Sequence, residues 1–170
     1  MNEQKNYEIV PIEEEHIESF RQVVGSVARE GKYLAFLDIL PFERTKSHIL
    51  EQLKTNMPHF IALVDGKMVG WCDISSLNRP VFAHSGSLGM GIIAEYRGQG
   101  IGKALMQATL KKAKEIGLTR VELGVREENA RAIEMYKKFG FVIEGIKRNA
   151  CKVGGIYSND LVMGLLFDEK

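Results

Sequence analysis

The stretch from Ser87 to Val125 constrains the fold most. It runs from an apolar strand, Ser87 to Ala94, through the turn Glu95-Tyr96-Arg97-Gly98-Gln99-Gly100, into an amphipathic helix from Gly100 to about Ile116. Gly117 closes that helix, and Arg120 to Val125 reads as the next strand. A strand, helix and strand of this length form a right-handed βαβ unit with parallel strands. Gly89 and Gly91 within the first strand mark a bulge or a close approach by another backbone or a ligand.

The rest of the chain builds around this unit. Tyr7 to Ile12 reads as a strand and Glu13 to about Glu30 as a helix with Ile17, Phe20, Val24 and Val27 on one face. Pro41 opens a second helix. Phe60 to Val64 and Met68 to Cys72 flank Asp65-Gly66, a type I′ hairpin signal. Asn129 caps a helix that Gly140 ends, and Phe141 to Ile146 and Ile156 to Leu166 supply two last strands. The expected class is α/β (α+β): one domain over residues 1–170, with a mixed, mostly antiparallel sheet and helices on both faces.

The turn before the long helix presents free N–H groups and the positive end of the helix dipole, which suits a phosphate or pyrophosphate. Its three glycines, Gly98, Gly100 and Gly102, let an anion approach the backbone, and Arg97 and Lys103 add positive charge. A tight turn that only needs glycines is the plainer reading. A P-loop is excluded because Ala104 follows Lys103 and Arg97 stands where the first glycine belongs. A Rossmann fingerprint is excluded because Lys103 stands where its third glycine belongs.

Arg97-x-x-Gly100-x-Gly102 resembles the pyrophosphate motif R/Q-x-x-G-x-G/A of the GNAT superfamily of N-acetyltransferases. Asn129-x-x-Ala132-x-x-x-Tyr136-x-x-x-Gly140-Phe141 is similar to that superfamily's second segment. The resemblance implies the GNAT fold, with a splayed parallel pair of strands. It implies acetyl-CoA as co-substrate and no metal. The pantetheine arm would pair with the edge at Met90, Ile92 and Ile93, and the pyrophosphate would meet Arg97, Gly98, Gln99, Gly100, Ile101, Gly102 and Lys103. Asn129 would touch the arm and Tyr136 would sit near the thioester sulfur.

Positions 129 and 136 are about two helical turns apart and share a face. A tyrosine hydroxyl is a reasonable proton donor to a departing thiolate. The alternative is that Tyr136 is a core aromatic beside Ile133 and Phe139. For the base that deprotonates the amine, His84 and Glu122 are candidates, with Asp160 and Glu95 behind them, or a water chain. His84 can equally be an exposed hairpin-end residue and Glu122 a solvated strand position. The acceptor site is expected near residues 29–42 and 148–160, where Tyr33, Phe36, Leu37 and Phe42 line a pocket or belong to the core. A covalent route through Cys72 or Cys151 has no motif behind it.

The expected reaction is transfer of an acetyl group to a primary amine: an amino acid, a peptide N-terminus or a small molecule. The alternatives are a non-catalytic acyl-CoA-binding regulator on the same fold, a nucleotide-binding protein, and an interaction module without a ligand. A net charge of +1 argues against a broad nucleic-acid surface. No run approaches the ~20 apolar residues that span a bilayer. The polar start, Met1 to Asn6, and two cysteines without CxxC spacing point to a cytoplasmic protein without disulfides or a zinc site, with a homodimer as the family's usual state.

Overall fold

The computed structural model describes residues 6–167, so the polar start at Met1 to Lys5 lies outside the described residues. Seven strands form one mixed sheet in the order β1-β2-β3-β4-β5-β7-β6. They are β1 (Tyr7–Pro11), β2 (His59–Val64), β3 (Lys67–Ser76), β4 (Ser85–Ile92), β5 (Arg120–Arg126), β6 (Val142–Val153) and β7 (Ile156–Leu166). The helices are α1 (Ile17–Arg29), α2 (Phe42–Lys54), α3 (Ile101–Glu115) and α4 (Ala130–Lys138). No helix among the described residues is long and apolar enough to cross a membrane.

Local sequence explains most of the elements. Asp65 and Gly66 both take positive φ, 49° and 73°, as the β2–β3 turn requires. Gly117 and Gly140 end α3 and α4 in left-handed conformations. Asn129 caps α4, its side chain accepting from the Ala132 N–H at 3.3 Å.

Alternation along the strands sends two apolar sets to opposite faces. Cys72, Ile74, Leu88, Val121 and Leu123 pack under α3 and α4 with Leu105, Met106 and Tyr136. Ile61 and Trp71 pack under α1 and α2 with Phe20, Val24 and Ile49. The strands expected at Phe141 to Ile146 and Met68 to Cys72 extend further, to Val153 and Ser76.

The parallel pair carries the functional geometry. β4 and β5 share only three rungs: Ser85 with Arg120, Gly86 with Val121 and Ser87 with Glu122. Beyond Ser87, β4 stays paired with β3 as far as Ile92, and β5 stays paired with β7 as far as Arg126. The two strands therefore diverge into a V whose apex is the Ser87–Glu122 rung.

The bulge expected at Gly89 and Gly91 is not found, because the β3–β4 register runs unbroken from Gly70–Ile92 to Ser76–Gly86. Close approach explains Gly91 instead. A Cβ there would lie 2.4 Å from the Trp71 ring.

Candidate active site

The open side of β4 follows from its hydrogen bonds to β3. The Ile93 N–H donates to the Val69 carbonyl at 3.0 Å. Backbone groups alternate along an antiparallel strand, so Met90 and Ile92 turn their N–H and C=O groups away from β3, into the V. The Ile92 carbonyl already accepts from Arg97 Nε at 2.8 Å.

The V leads to the glycine-rich turn. Gly98 and Gly100 have φ of 80° and 85°, a backbone that side chains disfavour. The N–H groups of Gly98, Gln99 and Gly100 meet no acceptor among the described residues, and the first turn of α3, Ile101 to Lys103, presents its own. Gly102 sits where a Cβ would press on Ile92 at 3.3 Å and on the Met135 sulfur at 3.4 Å, so it lets α3, α4 and β4 meet closely. A row of unpaired N–H groups at a helix N-terminus, beside an open strand edge, fits a pyrophosphate with an amide-bearing arm.

Individual side chains at the turn differ from their expected roles. The Arg97 guanidinium does not face the turn. It forms two hydrogen bonds to Glu30 at 2.9 and 2.5 Å and lies 4.9 Å from the centre of the Tyr33 ring. Hydrogen bonding from Arg97 holds the Glu30 carboxyl below its usual range and raises Arg97 in turn. This pair ties the end of α1 to the end of β4. Ile101 is buried in the core and offers the ligand only its backbone, whereas Lys103 is exposed. A second cation joins Lys103 at the turn: Arg131, whose Nη2 would be 2.9 Å from a Cβ at Gly98. The sequence reading missed it, although it stands two residues after Asn129.

Tyr136 packs under the sheet 5.8 Å from Phe141, ring centre to ring centre. Tyr136 is thus a core aromatic packed in one cluster with Ile133 and Phe139. Burial pushes its hydroxyl up, with the Cys72 thiol nearby adding to the shift. Cys72 is the cross-strand partner of Met90, so the hydroxyl lies close to the open edge. It makes no hydrogen bond among the described residues.

The candidate bases are spread apart. His84 is exposed ahead of β4, its carbonyl accepting from Thr119 and Arg120 N–H groups. It lies at the closed end of the V, three residues or roughly 10 Å below the apex. There it borders an open groove of about 620 Å³ with Arg79, Phe82 and Arg120. Glu122 stands at the apex but is tied to Arg120 at 3.1 Å, and Arg120 is held by Glu144 at 2.6 Å as well. Asp160 lies further along β7, with Oδ2 3.4 Å from the place of a Cβ at Gly124. Glu95 is exposed before the turn.

One polar group was not anticipated. Asp73 on β3 is paired with Gly89 on one side and His59 on the other, so all three share the α1–α2 face. Asp73 Oδ2 accepts from Gln52 Nε2 at 2.7 Å and stands 3.4 Å from His48 Nε2. The second atom of the Gln52 amide, Oε1, accepts from His59 Nδ1. Burial alone would raise the Asp73 carboxyl, but hydrogen bonding from His48 and Gln52 and the nearby imidazoles keep it below the usual range. Burial drives His59 the other way, down to about 4. Donor atoms of His48, His59 and Asp73 fall within 4.8 Å of one another, a set whose chemistry also suits a divalent cation. Helix periodicity accounts for His48 and Gln52 only as α2 positions four apart. Nothing local ties them to a strand more than twenty residues later.

The acceptor side is also built from distant parts. Tyr33, Leu37 and Phe42 are exposed rather than in the core. Their loop is held by an Arg126 hydrogen bond to the Leu34 carbonyl at 3.3 Å and lies against Val153 beside Gly31.

Residues 15–141 match the family model of the acetyltransferase (GNAT) family. The chain belongs to the GNAT family. As a member it is an acyl-CoA-dependent acetyltransferase. The chain is 28% identical to the L-amino acid N-acetyltransferase AaaT of Escherichia coli over 126 residues, covering 72% of this chain and 78% of that protein. It is 33% identical over 100 residues to a Bacillus subtilis protein named for alanine N-acetylation of a ribosomal protein, covering 58% of this chain and 64% of that one. An acetyltransferase from Salmonella typhimurium, solved with acetyl-CoA, superposes with a TM-score of 0.90 at 13% identity over 96% of this chain and 95% of its own. This GNAT chain thus carries the family's splayed sheet and glycine turn.

Proposed function

We propose that the chain moves the acetyl group of acetyl-CoA to the primary amine of an amino acid, a peptide N-terminus or a small molecule, by direct attack on the thioester. The observation that carries this reading is the unpartnered Tyr136 hydroxyl beside the open edge of β4. Acetyl-CoA supplies an activated acyl group. The N–H groups of Gly98 to Lys103, with Arg131, would hold the pyrophosphate. Met90 and Ile92 offer the arm a strand edge, whereas Ile93, expected there as well, already donates to the Val69 carbonyl and accepts from the Tyr96 N–H; Asn129 borders the same cleft. The Met90 N–H is a ready donor to a carbonyl oxygen that gains charge. Tyr136 stays protonated because burial raises it, and so it can hand a proton to the leaving sulfur. Direct attack is favoured over a thiol relay, since Cys72 has no exposure and burial pushes its thiol up.

The names of the relatives support amino-acid and N-terminal acceptors as the first amines to try. The test is calorimetric titration with acetyl-CoA, with ATP and NAD as controls. Thiol release is then followed with L-amino acids, an alanine-first peptide and simple amines. Selective binding of acetyl-CoA and release with any of these amines is expected. Absent binding, or tighter binding of ATP, would overturn the reading.

A further inference from the structure

Val121, Leu123 and Val125 pack under α3 and α4, so Glu122, Gly124 and Arg126 turn to the α1–α2 face. The partner of Arg126 across the ladder is Asp160 on β7, which shares that face. A cation directly opposite an anion ordinarily pairs with it. These two are turned apart. Arg126 Nη1 donates to Ser158 Oγ and Nη2 to the Leu34 carbonyl, both at 3.3 Å and both neutral acceptors. No carboxylate lies within ion-pair distance of it among the described residues, whereas Arg97 is held by Glu30, and Arg120 by Glu122 and Glu144. A guanidinium has five N–H groups, so with two of them taken three remain to bind an anion.

Asp160 reaches the other way. Its Oδ2 lies 3.4 Å from the place of a Cβ at Gly124 and accepts no hydrogen bond among the described residues. Its Oδ1 meets only the Cys151 thiol, at 3.9 Å. Lys147, its partner on β6, is exposed and makes no ion pair with it among the described residues. Gly124 is exposed and stands two residues above the Ser87–Glu122 rung, as Gly89 does on β4. Both arms of the V therefore lack a side chain at the level just below Met90, and Asp160 Oδ2 stands beside that gap.

We propose that Arg126 and Asp160 form a receptor for a zwitterion: Asp160 takes the ammonium of a free α-amino acid beside Gly124, and Arg126 takes its carboxylate under the loop that carries Leu34. This rests on the acetyltransfer reading above and narrows its acceptor class. The two charges of an α-amino acid are separated by a single carbon, and the two receptor charges sit on one rung of one ladder. An ammonium at Asp160 is level with the strand edge offered to the thioester arm, so the amine of the bound molecule is at the reacting end and its carboxylate at the far end. A planar guanidinium matches a carboxylate with two parallel N–H bonds. A peptide N-terminus has an amide in that place, and a simple amine has nothing, so both leave the Arg126 charge unanswered.

The test compares each L-amino acid with its C-terminal amide in thiol release by the intact chain. The amide keeps the amine and the side chain and loses the negative charge. Its amine is also the less basic, so chemistry alone favours the amide. The wild type is expected to favour the acid in kcat/KM by roughly tenfold or more, as a charge-assisted pair would give. Arg126→Gln should raise KM for the acid and bring the ratio of acid to amide near one, and Arg126→Lys should restore part of that ratio. Asp160→Asn should weaken acid and amide together, since both carry the amine. Proportionate losses with acid and amide in Arg126→Gln would mark the residue as an anchor of the loop and overturn the assignment. Wild-type activity in Asp160→Asn would overturn the ammonium site. A wild type that uses the amide, an alanine-first peptide or a simple amine as readily as the acid removes the receptor and leaves acetyltransfer standing. A wild type that binds no acetyl-CoA removes both.

Discussion

A side chain at Gly98 or Gly100 meets two obstacles: a left-handed backbone, and at Gly98 the Arg131 guanidinium. Gly100→Val is therefore expected to weaken acetyl-CoA binding roughly tenfold or more while the variant still folds, since the turn is exposed. Calorimetry checks it, and unchanged affinity would remove the turn from the pyrophosphate site. Tyr136→Phe keeps the packing against Phe141 and deletes only the hydroxyl. Turnover should fall by about 10²-fold with the affinity for acetyl-CoA retained. An unchanged chemical rate would take the acid role from Tyr136. Residues whose partners are sequence neighbours were legible in the chain: the glycines of the turn, Asn129 and Tyr136. Arg97 was read as a free cation because Glu30, its partner, stands 67 residues away. Asp73 went unread for the same reason, with Gln52 and His48 on a helix that no local pattern ties to it.

At the scale of elements, α4 hangs on one side-chain cap. Asn129→Ala should cost about 1 kcal/mol in urea unfolding and raise hydrogen exchange in the first turn of α4 before anywhere else. An effect on acetyl-CoA affinity far larger than that on stability would mark a direct contact rather than a cap. The helices and hairpins followed from periodicity and turn chemistry because each has its own local signal. Of the two readings open for the β4 glycines, a bulge or a close approach, the structure has the close approach at Gly91. A glycine within a strand signals crowding without saying by what, and here Trp71 on the neighbouring strand supplies it at Gly91.

For the molecule as a whole, His59 couples stability to pH. It is buried, with its folded pKa brought down to about 4 from 6.5. Above 6.5 both folded and unfolded chains hold it neutral. Between 6.5 and 4 only the unfolded chain binds the proton, so stability is lost as pH falls through that window. The loss between pH 7.5 and pH 5 should be about 2 kcal/mol in urea unfolding, and His59→Gln should flatten it. A wild-type curve that is flat from 7.5 to 5 would contradict this. The global order of the sheet was only partly legible. The parallel β4–β5 pair follows from the crossover helix, but the insertion of β7 between β5 and β6 depends on which edge of the last hairpin docks, and both edges carry apolar residues.

Three rungs are all that join the halves of this sheet on either side of the V, and this has a mechanical side. A continuous sheet resists shear along its whole length, whereas here the seam is stitched only at one end and bridged elsewhere by helices. A ligand that bonds to Met90 and Ile92 acts as a splint across the unstitched part. The enzyme should then be stiffest when loaded and loosest when empty, so the family's need for an open cleft and the stability of its sheet are settled by the same few amides.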